Sequence, residues 1–235
     1  MFAARRKSTQ VVMQDFDEAR DKLLLGTVRT LAIQPQERHW LAVHEAGHTL
    51  VAYFLPLADP LYKVTIIPRG QALGGTHQLP EEERHTLPED YLRDRLAVML
   101  AGRSAEKELL GTLSSGADND ISQATALARA MAARWGMAGE IGPVDFRDSE
   151  EHPFLGREIA QPRQHSEASA QAVDRAVRQF LHEAEERAVS VIKAHRPALE
   201  QLIVALEELE TLQRDQIEQC LGPVERKQSI EVVPH

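Results

Sequence analysis

The sequence predicts a mainly α-helical domain with one small β hairpin or sheet, and three observations carry that reading. Most of the chain repeats apolar residues at helical spacing, in segments of several turns each. One stretch, YKVTIIPRG followed by ALGGTHQLP within residues 62–80, breaks that period with β-branched residues flanked by glycine and proline. Glycines and prolines also stand where helices should start or stop: Gly26, Pro56, Pro88, Gly111, Gly136 and Pro197.

Taken in order, MQDFDEARDKLLL at residues 13–25 is a short helix closed by Gly26, and TVRTLAIQPQ is a connector. A longer helix begins near Gln36 and has to end at Pro56, because proline cannot donate the next backbone hydrogen bond. The hairpin follows, turning at RGQA. After Pro88, EDYLRDRLAVMLAGRSAEKELLG carries Leu92, Leu96, Met99 and Leu100 at helical spacing and stops at Gly111. TLSSGADND then opens ISQATALARAMAARWGM, a helix of small residues that can pack closely and ends at Gly136. Residues 137–165 read as an irregular loop, long enough to imply an ordering or functional role. SAQAVDRAVRQFLHEAEERAVSVIKAH is amphipathic. PALEQLIVALEEL puts Leu199, Leu202, Ile203, Leu206 and Leu209 on one stripe, with Pro197 in its first turn. The expected organisation is an N-terminal tail and short helix at 1–32, one domain over 33–222 and a loose tail at 223–235.

Composition narrows the function. With 235 residues, 43% of them hydrophobic, the chain can bury one sizeable core. Acidic residues outnumber basic ones by 36 to 27, for a net charge of −9, and no basic block with interleaved aromatics is present, so nucleic acid is excluded as an expected partner. The single cysteine, Cys220, rules out an internal disulfide and a cysteine-built zinc knuckle, and it fits a reducing compartment. MFAARRKSTQ is not a secretory signal, and no run approaches the roughly 20 apolar residues of a membrane span. A soluble, cytoplasmic chain is expected, with association to a membrane through a partner or a missing N-terminal part as the alternative.

The stretch HWLAVHEAGHTLVAYFLPL, residues 39–57, sets two histidines and a glutamate in an apolar helix. His44 and His48 are four apart, so they lie about 40° apart on one face, one turn along the axis, and both imidazoles can reach one ion. Catalytic zinc takes three protein ligands and a water whose pKa falls to about 7. Glu45 stands beside that water, placed to take its proton and later hand it to a leaving amine. HEAGH thus matches His-Glu-x-x-His. The competing reading is a hydrogen-bonded core patch; burying these groups among Leu41, Val43, Leu50, Val51 and Phe54 would cost several kcal/mol unless each found a partner. Val51 and Phe54 stand where a metzincin would have Gly and His, so the third ligand lies further along. His77, Glu106, Asp118, Asp120 and His182 all qualify, and spacing does not choose among them.

The helix with the segment after it, then AGRSAEKELLG, SSGADNDISQATALARAMAARWGM, IGPVDF and FLGREIAQP, together resemble the peptidase domain of the FtsH-type membrane-anchored AAA proteases, from about Asp15 to Gly222. The resemblance implies a mainly helical zincin peptidase domain, zinc held by His44, His48 and Asp120, Glu45 as general base, and hexameric rings. It also gives the hairpin a meaning: the strand edge at Gly74, Gly75, Thr76 and His77 would take an unfolded polypeptide as an added strand. Where that family has Gly-Gly-Arg and Ala-Glu-Glu, this chain has AGR and AEK, so Ala101 and Lys107 alter details away from the expected ligands. MQDFDEARDKLLLG resembles the end of the AAA domain, but no G-x-x-x-x-G-K-[ST] phosphate loop occurs. The expectation is therefore a zinc endopeptidase for peptides or unfolded chains, either an excised domain or a product that relies on a separate AAA ATPase. The alternative is a catalytically silent, zinc-stabilised ring or regulatory module, which would need the three ligands but not Glu45.

Overall fold

The computed structural model describes residues 10–24, 33–68, 74–79, 85–146 and 166–223. The expected loose tail from Val224, the FLGREIAQP segment and the RGQA turn lie outside the described residues, as does most of 1–32 apart from its helix.

Helix α1 is Met13–Leu24. Helix α2 is Pro35–Phe54, with proline in its first turn, where the missing N–H is harmless. It stops one residue before the predicted breaker, because Leu55 precedes Pro56 and is driven to extended backbone, φ −78° and ψ 129°. Strands β1 (Leu61–Thr65) and β2 (Gly75–Gln78) pair antiparallel, as the change of period predicts. Helix α3 is Glu89–Leu110, and Gly111 ends it at φ 69°, a left-handed conformation that favours glycine. A single 3-10 turn, Ser115–Ala117, leads into α4, Asp118–Ala133. The latter stops three residues short of Gly136, which serves instead, at φ 62°, to turn the chain that follows.

Helix α5, Glu167–Ala194, starts at Ser166, whose hydroxyl accepts from the Ser169 N–H, and α6 follows almost directly as Arg196–Leu209. Two elements escaped the sequence reading. Thr211–Gln213 forms β3, which pairs antiparallel with β1, so the hairpin is a three-stranded sheet of order β2-β1-β3. Arg214–Leu221 forms α7, started by a capping box between Gln213 and Gln216. Both are too short to show a period. β3 is held by register with a strand about 150 residues earlier rather than by its own pattern.

The core lies between α2, α3, α5 and α6, with the sheet packed against α2. Leu199, Leu202, Ile203 and Leu206 of α6 are buried as predicted, and each fully buried leucine contributes about 1.5–3 kcal/mol. Leu209 is 54% exposed, which corrects the fifth member of that stripe. The helix ends there, Glu210 turns the chain at φ 59°, and the inward position passes to Leu212 of β3.

One contact sets how near α2 and α3 can come. A Cβ on Gly47 would lie 2.6 Å from the Ala105 Cβ and 2.7 Å from the Ala101 carbonyl oxygen, which is backbone and cannot move aside. Gly47→Val is therefore expected to lower unfolding free energy by about 2 kcal/mol or more, read as a fall in the urea midpoint. An unchanged midpoint would show that the two helices are free to separate.

Candidate metal centre

The middle of α2 is buried from Ala42 to Tyr53, and His44, Glu45 and His48 lie within that run. Each polar group there has a partner drawn from another element. The His48 Nδ1–H donates to the Val98 carbonyl of α3 at 2.7 Å. The His44 Nδ1–H donates to Glu106 Oε1, also on α3, at 2.8 Å. Both rings therefore present Nε2 inward, and these two nitrogens lie 3.1 Å apart. Asp120 of α4 closes the set, its Oδ2 3.1 Å from His44 Nε2 and 3.4 Å from His48 Nε2.

Two imidazole nitrogens facing each other at that distance, beside a carboxylate oxygen, require a positive charge between them. A tetrahedral ion bound at about 2.0–2.1 Å, the zinc distance, holds its ligand atoms about 3.3 Å apart, and the three observed separations fall within 0.3 Å of that. Among the described residues His44, His48 and Asp120 form the one group able to hold a metal ion. Space for it depends on Gly102. A Cβ there would stand 2.5 Å from His48 Nε2 and 2.6 Å from His44 Nε2.

The electrostatics agree. Burial alone would lower the His44 pKa, but the hydrogen bonds of Asp120 and Glu106 and the charges of Glu45 and Asp120 outweigh it and raise it to about 9. Burial would raise Asp120, yet hydrogen bonds from His44 and His48 hold its carboxyl far below the usual carboxylate range. Glu106 is likewise desolvated but kept ionised. The Trp40 indole points at it without completing a hydrogen bond, and the Ser114 N–H donates to its Oε2 at 2.7 Å. Burial pushes Glu45 up, offset in part by His48 and His44.

Glu45 is positioned from the sheet. The Thr76 hydroxyl of β2 lies 3.1 Å from Glu45 Oε2 and 3.0 Å from the Glu45 carbonyl, and a Cβ on Gly74 would fall 2.9 Å from Glu45 Oε1. Gly74, Gly75, Thr76 and Gln78 share one cleft with His44, His48 and Asp120 and with Trp40, Arg95 and Asn119. His77 does not line it; its ring lies over Gly75, whose Cβ would come within 2.8 Å of His77 Nε2. Of the other ligand candidates, Asp118 is exposed on the rim and His182 is exposed on α5 beside Glu186, so neither joins the cluster. Glu106 was legible only as a possible ligand, and its role at the far nitrogen of His44 was missed. So were Gly102 and the Val98 carbonyl. For Glu106 the signal was an acid at the buried face of a predicted helix, next to Ala105.

Comparison with known proteins adds the family. The profile of peptidase family M41 matches residues 31–220. The chain belongs to peptidase family M41. It is 64% identical over 219 residues to the ATP-dependent zinc metalloprotease FtsH of Hahella chejuensis, covering 93% of this chain and 35% of that protein. Identity to the protein of the same name from Nitrosococcus oceani is 48% over 224 residues, covering 95% and 35%. Against the ATP-dependent zinc metalloprotease FtsH 4 of Sphaerobacter thermophilus it is 46% over 222 residues, covering 94% and 34%. This M41 chain thus spans about a third of the length of these relatives. No helix among its described residues is long and apolar enough to cross a membrane.

Two outcomes test the centre. Glu106→Ala is expected to weaken metal binding by about 10–100-fold, and Asp120→Ala by more, in competition with a chromogenic chelator. Equal affinity in the Glu106 variant and the wild type would remove Glu106 from the site. Gly102→Ala is expected to abolish stoichiometric metal uptake while far-UV circular dichroism keeps its helical signal; full uptake would contradict the tight fit.

Proposed function

We propose that this chain is a zinc-dependent endopeptidase that cleaves peptides and unfolded polypeptides. The observation that carries the reading is the triangle of His44 Nε2, His48 Nε2 and Asp120 Oδ2, opening on the same cleft as Glu45. Two imidazoles and a carboxylate are a donor set suited to zinc, and they leave a fourth position open. Bound there, zinc supplies Lewis-acid activation of a water and of the scissile carbonyl.

The chain's own residues do the rest. Glu45 takes the proton of the attacking water on its carboxylate and delivers it to the departing amine nitrogen, so that one water and one peptide bond become a carboxylate and an amine. The Thr76 hydroxyl holds that carboxylate against β2, and Gly74, having no side chain, leaves room for it. In the order β2-β1-β3, β2 is an edge strand, so its outer side offers backbone groups to a peptide lying along Gly74, Gly75, Thr76 and His77. Backbone pairing supports sequence-tolerant binding of unfolded chains. The relatives are named ATP-dependent, and no phosphate-loop motif occurs in this sequence. We assign ATP-driven unfolding to an AAA ATPase, assembly to a homo-oligomeric hexameric ring, and activity to the cytoplasm.

Glu45→Gln tests the chemistry, because glutamine keeps the shape but cannot take a proton at neutral pH. Zinc content and thermal stability are expected to stay as in the wild type, while cleavage of unfolded casein falls by about 10²–10⁴. If the wild type cuts casein no faster than this variant with zinc in both, the silent scaffold replaces the peptidase. A chelator is expected to stop the wild-type reaction.

A further inference from the structure

The cleft wall is acidic except at one point. Glu45, Glu106, Asp118 and Asp120 line it, and Arg95 is the one arginine or lysine that does so among the described residues. Its neighbours on α3 are neutralised: Arg93 pairs with Glu89 at 2.8 Å and with Glu183, and Arg103 pairs with Glu185. Arg95 is exposed and forms no ion pair with any described residue.

Its place along the cleft follows from the helix directions. Val98 holds His48 and, further back on α3, Asp94 Oδ2 accepts the Leu57 N–H at 3.2 Å, so α3 runs antiparallel to α2 and Arg95 lies toward the far end of β2. Gln78 closes that end of the strand, its side-chain amide donating to the Asp59 carbonyl at 2.7 Å. From Val98 back to Arg95 is about 4.5 Å of helix, and the guanidinium reaches further. A peptide strand advances about 3.3 Å per residue. The cation therefore faces the second or third substrate residue from the cut.

We propose that Arg95 is a specificity-determining residue, selecting polypeptides with a carboxylate two or three residues from the bond that is cleaved. The inference rests on the peptidase reading of the same cleft. That carboxylate is either an Asp or Glu side chain or the free end of a chain. A guanidinium accepts both as a bidentate partner, and it repels a lysine or arginine at the same position.

The test uses zinc-loaded Glu45→Gln protein, which holds a peptide without cutting it, and fluorescence anisotropy of unstructured peptides that differ at one position. The Glu peptide is expected to bind about three- to fivefold more tightly than its Gln counterpart, with Lys weakest and the gap closing as salt is raised. Adding Arg95→Gln is expected to erase the gap, and Arg95→Glu to reverse it in favour of Lys. Peptides ending at that position with a free carboxylate or an amide separate the two sources, a gain for the free acid assigning the chain end. Equal binding of Glu and Gln peptides, no binding of any peptide, or a preference that survives Arg95→Gln overturns the proposal. Cleavage of the same peptides by protein with Glu45 intact keeps the two readings apart. Charge-selective binding without cleavage discards the peptidase and leaves the selectivity standing, whereas cleavage that ignores charge discards the selectivity alone.

Discussion

Two imidazole nitrogens aimed at one point inside a helical core need a positive charge between them, and the packing around α2 answers that need. Each ring is locked by its outer nitrogen, one on a backbone carbonyl and the other on a carboxylate, so neither can rotate its inner nitrogen away. Three elements meet here: α2 brings the rings, α3 holds them from behind and α4 brings Asp120. Buried polar groups that would otherwise cost several kcal/mol thus become a hydrogen-bonded network suited to a cation.

Small residues make that network possible. Gly47 lets α2 and α3 come into backbone contact, and Gly102 keeps a side chain out of the space the ion needs. The first acts on packing and the second on chemistry, yet they lie on the two facing sides of one helix pair. Ala101 and Ala105 belong to the same seam, fully buried. Where the family has a double glycine this chain has Ala101, whose carbonyl oxygen faces Gly47 across the seam.

The sheet supplies what helices cannot. β3 occupies one edge of β1 and leaves β2 at the other, beside the metal helix. Thr76 spans from strand to helix, reaching the backbone and the side chain of Glu45, and the Thr49 hydroxyl lies 3.0 Å away. The Glu45 carboxylate, a strand edge and a cleft wall whose one arginine or lysine among the described residues is Arg95 are thereby brought into one groove.

Local chemistry was readable from the chain itself. The spacing of His44 and His48 is a property of any helix, Pro56 and Gly111 mark the ends of their helices, and the α6 stripe follows from periodicity as far as Leu206. Asp120 came from a resemblance, since spacing left five candidates open. What tertiary structure decided is everything that depends on two distant segments meeting. Strand β3 pairs with β1 across the whole domain, Glu106 finds His44 across 62 positions, and Gly102 matters only because α2 lies against it. A residue's period and capping act over one turn and are written locally. A ligand's second hydrogen bond, the width of a helix seam and the charge of a groove exist only once the chain has folded back on itself.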